Sequence, residues 1–173
     1  MTGVQTCALP ISQADAVVDL KKAIEGRIQA LSNVHSLFVA TRWIGAELST
    51  IARQELAPYS KTGETRVRIN GPQVLLEPNT AQAVAVTLHE LATNAVKYGA
   101  LSVDTGKIDF AWSHDPNGSL NLRWTETGGP IVKPPTRKGF GSRMMEQMIT
   151  QLKGGTRFDW RAGGVVCEIT LRL

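Results

Sequence analysis

One stretch of this chain is the most informative about its fold: His89-Glu90-Leu91-Ala92-Thr93-Asn94-Ala95-Val96-Lys97-Tyr98. On a helix, Glu90, Asn94 and Lys97 project to nearly the same side, because they are spaced by four and then three residues. The adjacent side is apolar and consists of Val84, Leu88, Leu91 and Ala95. A core face beside a face with a carboxylate, an amide and an ammonium suits a helix that lines a magnesium-nucleotide site. On its own, the pattern also fits a solvated amphipathic helix.

A carboxylate on a predicted strand is the second informative feature. It lies in Trp124-Thr125-Glu126-Thr127-Gly128-Gly129-Pro130. Glu126 has the same strand parity as Leu122 and Trp124, so it is predicted to face the covered side of a sheet, where an unpaired carboxylate is costly. It therefore needs a partner, unless the strand ends there and the side chain reaches solvent.

A glycine motif, Gly139-Phe140-Gly141-Ser142-Arg143, follows in chain order. It precedes a predicted helix, and free amide groups at a helix start can face phosphates. A lone Gly-x-Gly is most often only a flexible turn. Its position behind Glu126 makes the phosphate interpretation stronger.

Taken in order, the three motifs resemble the nucleotide boxes of sensor histidine kinases, and within these the HWE family. That family is named for a His in the first box and a Trp-x-Glu in the second, here His89, Trp124 and Glu126. The resemblance runs from about Val17 to Leu173. It implies an α+β fold, a two-layer α/β sandwich of the histidine kinase-like ATPase (Bergerat) type, preceded by a long helix of a dimerisation hairpin.

The resemblance also implies a role for each site residue. Asn94 would hold Mg, Lys97 would contact phosphate, and Glu90 would polarise an attacking group, while His89 is either catalytic or structural. Glu126 would accept the exocyclic amine of adenine. The remaining residues expected to bind the nucleotide are Trp124, Gly128, Gly129, Gly139, Gly141, Ser142 and Arg143.

The implied activity is transfer of the ATP γ-phosphate to a histidine, with ATP and Mg bound. The implied partners are a response regulator, an acceptor-histidine helix and a second copy of the intact protein. We expect no nucleic acid. The net charge is +4, but the clustered basic residues flank the glycine motif without interleaved aromatics, and they are either a phosphate site or ordinary surface charge. These residues are Lys133, Arg137, Lys138 and Arg143.

The family pattern breaks at its acceptor, because no His-Arg-Val-Lys-Asn type sequence occurs in the chain. His35 matches a position of the family that does not accept phosphate, and we interpret it as structural. Residues 2–11 resemble a translated sequencing adapter, so residues 1–12 are expected to be a non-native leader and the chain a truncation. Residues 13–58 would then hold partial dimerisation and phosphotransfer helices, and residues 59–173 the ATP-binding catalytic domain.

Periodicity predicts the elements. A long helix from about Ala14 to Val39 has its apolar stripe at Val17, Leu20, Ile24, Ile28, Leu31, Val34 and Phe38, and needs a partner or packs across the domain. Three further helices are predicted: one at 46–56, one capped by Asn79 and ending at Gly99, and one at 142–152. Strands are predicted at 66–69, 74–76, 156–161 and 165–173, together with a hairpin that turns at 115–118. Residues 127–141 are predicted to form a mobile lid.

Composition excludes some classes of protein. No apolar run is long enough to span a bilayer, so no membrane contact is expected from this portion. The two cysteines are far apart, and Cys167 has inward strand parity, which favours a small buried side chain and a reducing cytoplasm over a disulfide. Two rival functions stay open. One is an ATPase or serine kinase of the same superfamily, such as an anti-sigma-factor kinase, and the other is a nucleotide-binding or dimerisation module without turnover.

Overall fold

The structure, a computed structural model, describes residues 13–60, 66–136 and 139–172; in the first helix it describes side chains at Val18 and from Leu20 onward. The expected leader, the Val17 side chain, Arg137, Lys138 and Leu173 lie outside the described residues. The helices are α1 Gln13–Ala40, α2 Leu48–Leu56, α3 Pro78–Lys97 and α4 Phe140–Gln151, with 3-10 turns at Ala57–Tyr59 and Ala100–Ser102. The strands are β1 Ala46–Glu47, β2 Val67–Asn70, β3 Leu75–Leu76, β4 Lys107–His114, β5 Ser119–Thr127, β6 Gly155–Arg161 and β7 Gly164–Arg172.

A mixed five-stranded sheet forms one layer, in the order β2-β4-β5-β7-β6. The pair β2 and β4 is parallel, and the other neighbours are antiparallel. The predicted hairpin of β4 and β5 is confirmed. Its turn is held by Asp115, whose Oδ1 accepts the N–H groups of Asn117 and Ser119, each at 2.9 Å. β1 and β3 form a separate two-stranded pair.

The core lies between this sheet and the helices. The inward-facing apolar residues of the hairpin are at most 5% exposed, and they are Ile108, Phe110, Trp112, Leu120, Leu122 and Trp124. α3 contributes most of the opposing surface, and α2 and α4 pack beside it. The predicted two-layer α+β architecture is therefore confirmed. On the same inward face of β7, Cys167 is buried, and burial raises the pKa of its thiol to about 12.

The start of α3 differs from the predicted cap at Asn79. The helix begins at Pro78 and its N-cap is Glu77, without a capping side-chain hydrogen bond. Proline suits the first helical position because its missing N–H needs no partner there. At the other end the helix stops at Lys97 rather than Gly99, although the N–H of Gly99 still donates to the carbonyl of Ala95 at 3.1 Å.

Two other helices have shifted starts. α2 begins at Leu48 instead of Ala46, because Ala46 and Glu47 pair with β3. α4 begins at Phe140 instead of Ser142, which brings Gly141 into its first turn. The glycine motif thus forms the start of this helix and does not merely precede it.

The predicted apolar stripe of α1 is buried in the domain only in its second half. Leu20, Ile24 and Ile28 are 56%, 46% and 59% exposed, whereas Val34 and Phe38 are buried. The face that packs on α3 is lined by smaller residues, since a Cβ added to Gly26 would lie 2.6 Å from His89 Nε2. The helix therefore turns a close-packing side to the domain and leaves its larger aliphatic residues outward.

Candidate nucleotide-binding site

A cavity of about 180 Å³ lies where α1, α3 and the start of α4 converge. The site residues predicted from the sequence that line it are His89, Glu90, Asn94, Lys97, Gly139, Gly141 and Ser142. The others are Leu20, Ala23, Arg27, Thr93, Tyr98 and Phe140. The polar stripe of α3 and the glycine motif, which are far apart in the sequence, thus meet in one place.

The polar stripe of α3 becomes more exposed toward its end. Glu90 is 6% exposed, Asn94 is half-buried and Lys97 is exposed. Glu90 lies deepest because α1 covers α3 at this level, and Lys97 belongs to the last turn. The stripe therefore offers a buried carboxylate, an amide at mid-depth and an ammonium at the mouth.

Arg27 of α1 forms an ion pair with Glu90 through its Nε. Its guanidinium lies 5.2 Å from the centroid of the Phe140 ring, and its side chain is 13% exposed. Sequence reasoning missed this residue. The available signal was its helical spacing from Ala23 and Ala30, which indicates a cation on the close-packing face of α1.

Glu90 and Gly141 are in very close contact. A Cβ added to Gly141 would lie 1.8 Å from Glu90 Oε2 and 2.9 Å from Arg27 Nη2. Only glycine leaves room at this point for the ion pair beneath the start of α4. The glycine is thus required by packing as well as by the access it gives to backbone amides.

His89 has one contact on each side. Its Nδ1 lies 3.5 Å from Glu55 Oε2, and its ring fills the space over Gly26. Glu55, another residue that sequence reasoning missed, is 6% exposed and also accepts from Asn33 Nδ2 at 3.4 Å. His89 therefore links α1, α2 and α3, and it borders the cavity at the same time.

Tyr59 borders the same cluster. Burial and the nearby Glu55 carboxylate raise the pKa of its phenol, and a hydrogen bond with Thr93 opposes the shift. The phenol is therefore a neutral hydroxyl between α2 and α3 at physiological pH.

Glu126 faces inward, as its strand parity predicts, and is 6% exposed. Its Oε2 accepts the N–H of Ala100 at 2.8 Å and its Oε1 accepts the indole N–H of Trp124 at 3.0 Å. Burial raises the pKa of the carboxyl, and the two hydrogen bonds oppose that shift. A Cβ at Gly99 would lie 2.1 Å from Oε2, so the turn after α3 needs a glycine beside this carboxylate.

Glu126 and the glycines after it form a second group, outside the cavity lining. Trp124 is 1% exposed and belongs to the core. Gly128 has a left-handed φ of 70°, and Gly129 packs against Ala100. This group surrounds the chain just after α3, whereas the cavity lies along the last three helical turns of α3. Both therefore adjoin the end of the same helix. Arg143 is exposed on α4 and does not line the cavity.

The oxygen, nitrogen and sulfur atoms of the side chains determine where a metal ion could bind. Within residues 13–60, 66–136 and 139–172, no group of three or more His, Cys, Asp or Glu side chains is arranged to hold an ion. Mg²⁺ retains several waters and takes one or two protein oxygens together with substrate phosphates. Asn94, with Glu90 one turn away, fits this sparse mode of binding.

Two histidines lie away from the cavity. His35 Nε2 is 2.7 Å from Gln82 Nε2, and its ring packs against Phe38 and Trp43 at 5.6 and 5.7 Å between centroids. These contacts give the ring a structural role at the end of α1. His114 is exposed at the end of β4, next to the hairpin turn. Among the described helices, none combines the length and apolarity required to cross a bilayer.

Comparison with known proteins gives consistent results. Residues 3–73 match the family model described as HWE histidine kinase. The chain is 35% identical over 147 residues to the blue-light-activated histidine kinase of Brucella anthropi, a match that covers 83% of this chain and 30% of that protein. The chain therefore spans about a third of the length of the curated relatives it matches.

Solved structures share the fold. The histidine kinase domain of the Erythrobacter litoralis EL346 blue-light activated histidine kinase superposes with a TM-score of 0.70 at 17% identity, over 87% of this chain and 75% of that one. Full-length ShkA, solved in complex with AMPPNP, gives a TM-score of 0.53 at 17% identity, over 73% of this chain and 30% of that one.

Proposed function

We infer that this chain belongs to the HWE histidine kinase family, and from that premise we propose that residues 59–173 bind Mg-ATP and transfer its γ-phosphate to a histidine. The observation that carries the proposal is the shared cavity of Glu90, Asn94, Lys97 and the start of α4. It combines an oxygen ligand for Mg, a cation and a helix N-terminus, which are the groups that a nucleotide polyphosphate requires.

The residues around the cavity have different proposed roles, according to their depth in it. Asn94 supplies the side-chain oxygen for Mg, which would neutralise charge on the phosphates when bound. Lys97 contacts phosphate at the mouth. The amides of Gly141 and Ser142, in the first turn of α4, donate to phosphate oxygens, and the helix dipole favours their charge.

Glu126 is the proposed base-recognition group. Two of its lone pairs are occupied by Ala100 and Trp124, and each carboxylate oxygen has a second acceptor site. The exocyclic amine of adenine can donate to that site, whereas the carbonyl of guanine cannot. In this proposal Trp124 holds the carboxylate in position from within the core. The AMPPNP in the ShkA structure supports an adenine nucleotide as the ligand.

In the transfer step, an imidazole nitrogen forms a bond to the γ-phosphorus as the bond to the β-phosphate oxygen breaks and ADP leaves. Glu90 is close enough to the phosphate end of the cavity to orient the attacking group. The acceptor would arrive on a separate helix, for which the exposed stripe of Leu20, Ile24 and Ile28 on α1 is the proposed docking side. A response regulator and a second copy of the intact protein are the proposed partners.

Calorimetric titration with ATP, with and without Mg, tests the binding proposal. We expect micromolar to millimolar affinity, about 4 to 8 kcal/mol. Asn94→Ala should weaken binding and remove its dependence on Mg. The matched control is Asn117→Ala in the exposed hairpin turn, where the backbone N–H of Asn117 makes the bond to Asp115. The proposal fails if the parent gives no heat with ATP, or if the Asn94 and Asn117 variants bind alike.

A further inference from the structure

Arg27 is a cation held inside the candidate pocket by an element outside the predicted ATP-binding domain. It projects from α1 between α3 and the start of α4, and it lines the cavity together with Asn94, Lys97 and Ser142. Its side chain is 13% exposed, so little bulk water screens its charge. A cation in this position favours an anion in the cavity.

The contacts of Arg27 leave its terminal groups available. Nε–H donates to Glu90 Oε1, and the central carbon of the guanidinium lies over the Phe140 ring. Among the described residues, Glu90 is the hydrogen-bond acceptor of this side chain. A guanidinium has five N–H donors in a planar fork, and four of them are on the two terminal nitrogens. Nη2 points to the first turn of α4, since it lies 2.9 Å from the Cβ position of Gly141.

We propose that Arg27 is a phosphate-binding residue of the nucleotide site, supplied by α1 and positioned by Glu90. The inference rests on the proposed ATP binding. A planar fork matches two phosphate oxygens, and the first-turn amides of α4 lie on the same side of the cavity. Glu90 fixes the guanidinium through one edge and leaves the other edge to the ligand. The Phe140 ring packs against the guanidinium.

This arrangement makes the nucleotide bridge two parts of the chain. Lys97 and Asn94 hold the ligand from α3, and Arg27 holds it from α1. Bound phosphate therefore adds a contact between α1 and α3 beyond the Arg27–Glu90 pair, and its loss removes that contact. The position of α1 is thereby linked to whether the site contains polyphosphate.

The test measures the affinity of the full chain for Mg-ATP by calorimetry. Its affinity for adenosine, which has no phosphate, is measured by competition. Arg27→Gln should weaken ATP binding about tenfold, equivalent to roughly 1.4 kcal/mol, and leave adenosine binding unchanged. Arg27→Lys should be intermediate because it keeps the charge but loses the fork. The control is Arg53→Gln, the same change at an exposed arginine of α2, and it should bind ATP like the parent.

A double-mutant cycle separates direct contact from charge neutralisation of Glu90. Arg27→Gln should still cost about tenfold when Glu90→Gln is the background. No effect in that background, or equal losses for ATP and adenosine, would overturn the inference. If the parent binds ATP and the Arg27 and Arg53 variants match it, only the role of Arg27 is wrong. If the parent binds no ATP, the proposed function itself is wrong.

Discussion

Glu126 is a carboxylate enclosed by two N–H donors, and its environment makes a pH-dependent contribution to stability. Burial raises the pKa of this carboxyl above its ordinary value of 4.5 in the folded chain. The folded state therefore binds the proton more tightly than the unfolded state. The associated stabilisation is fully present below the ordinary pKa and is lost as pH rises through the folded-state pKa.

Glu126→Gln removes this titration. We expect the free energy of unfolding of the parent to fall relative to that of the variant as the pH rises above 4.5 toward neutrality. Urea denaturation across that range measures the difference. Glu168→Gln is the control with the opposite sign, in a lower pH range: the hydrogen bond from Arg157 lowers the pKa of the Glu168 carboxyl, so its stabilisation is lost as the pH falls below 4.5. A pH-independent difference for Glu126→Gln would show that its carboxyl is not perturbed.

Single residues also show which contacts could be predicted from the sequence and which could not. Strand parity was enough to predict that Glu126 faces inward, because alternation is a local property. Its donor from Ala100 was not predictable, since that N–H belongs to a turn 26 residues earlier in the chain. Arg27 was missed for the same reason. Its partner Glu90 lies 63 residues away, and nothing local indicates the pairing.

The segment between β5 and α4 is the element with a testable response to ligand. Its described residues include the 76% exposed Ile131 and the exposed Lys133, and its far end forms the start of α4 at the cavity. We expect trypsin to cleave within residues 127–141 in the absence of nucleotide, after Arg137 or Lys138, since Pro134 blocks the bond after Lys133. Saturating Mg-ATP should slow that cleavage, because phosphate contacts stabilise the segment.

Mass spectrometry of the fragments, sampled over time, locates the cuts. Cleavage after Arg161, the exposed last residue of β6, serves as the internal reference. Equal rates at residues 127–141 with and without nucleotide would contradict a role for this segment as a lid.

Element boundaries were predictable to within two residues, but the packing side of α1 was not. In α1 the periodicity of Leu20, Ile24 and Ile28 correctly indicated a helix, yet these residues face outward. A repeat of apolar residues does not reveal which of two neighbouring sides meets the domain. Here the choice follows from Gly26, whose missing side chain admits the His89 ring.

At the scale of the whole molecule, the central prediction concerns phosphotransfer. Because no His-Arg-Val-Lys-Asn type sequence occurs in the chain, we expect incubation with labelled ATP to give no acid-labile phosphohistidine. Addition of a hairpin that carries the family's acceptor helix should yield label on the hairpin, because the γ-phosphate then has an imidazole in line. Gel autoradiography before and after acid treatment measures both outcomes.

Two variants serve as checks on this reaction. Asn94→Ala should abolish transfer to the hairpin, and His35→Ala should leave it intact, since His35 packs against Phe38 and Trp43 away from the cavity. Label on the chain itself that disappears in His35→Ala would mean that His35 is the acceptor.

The mixed, largely antiparallel sheet was predictable from the strands, whereas the strand order was not. β4 and β5 are joined by a short turn, so their pairing is local. The parallel pairing of Val67 in β2 with Ile108 in β4 spans the whole of α3, and β7 inserts between β5 and β6. Such pairings depend on tertiary packing that a single sequence does not encode locally.

The insertion of β7 has a consequence for biosynthesis. Because β7 follows β6 in the chain yet separates it from β5, a ribosome must have translated Gly164–Arg172 before β6 can join the sheet. Until then Met145 and Ile149 of α4 have no complete sheet to cover them. The nascent polypeptide therefore exposes this apolar surface until β7 has been synthesised, and a chaperone would bind it in that interval. Completion of the sheet, and of the core beneath α4, waits for β7 and does not proceed strand by strand along the chain.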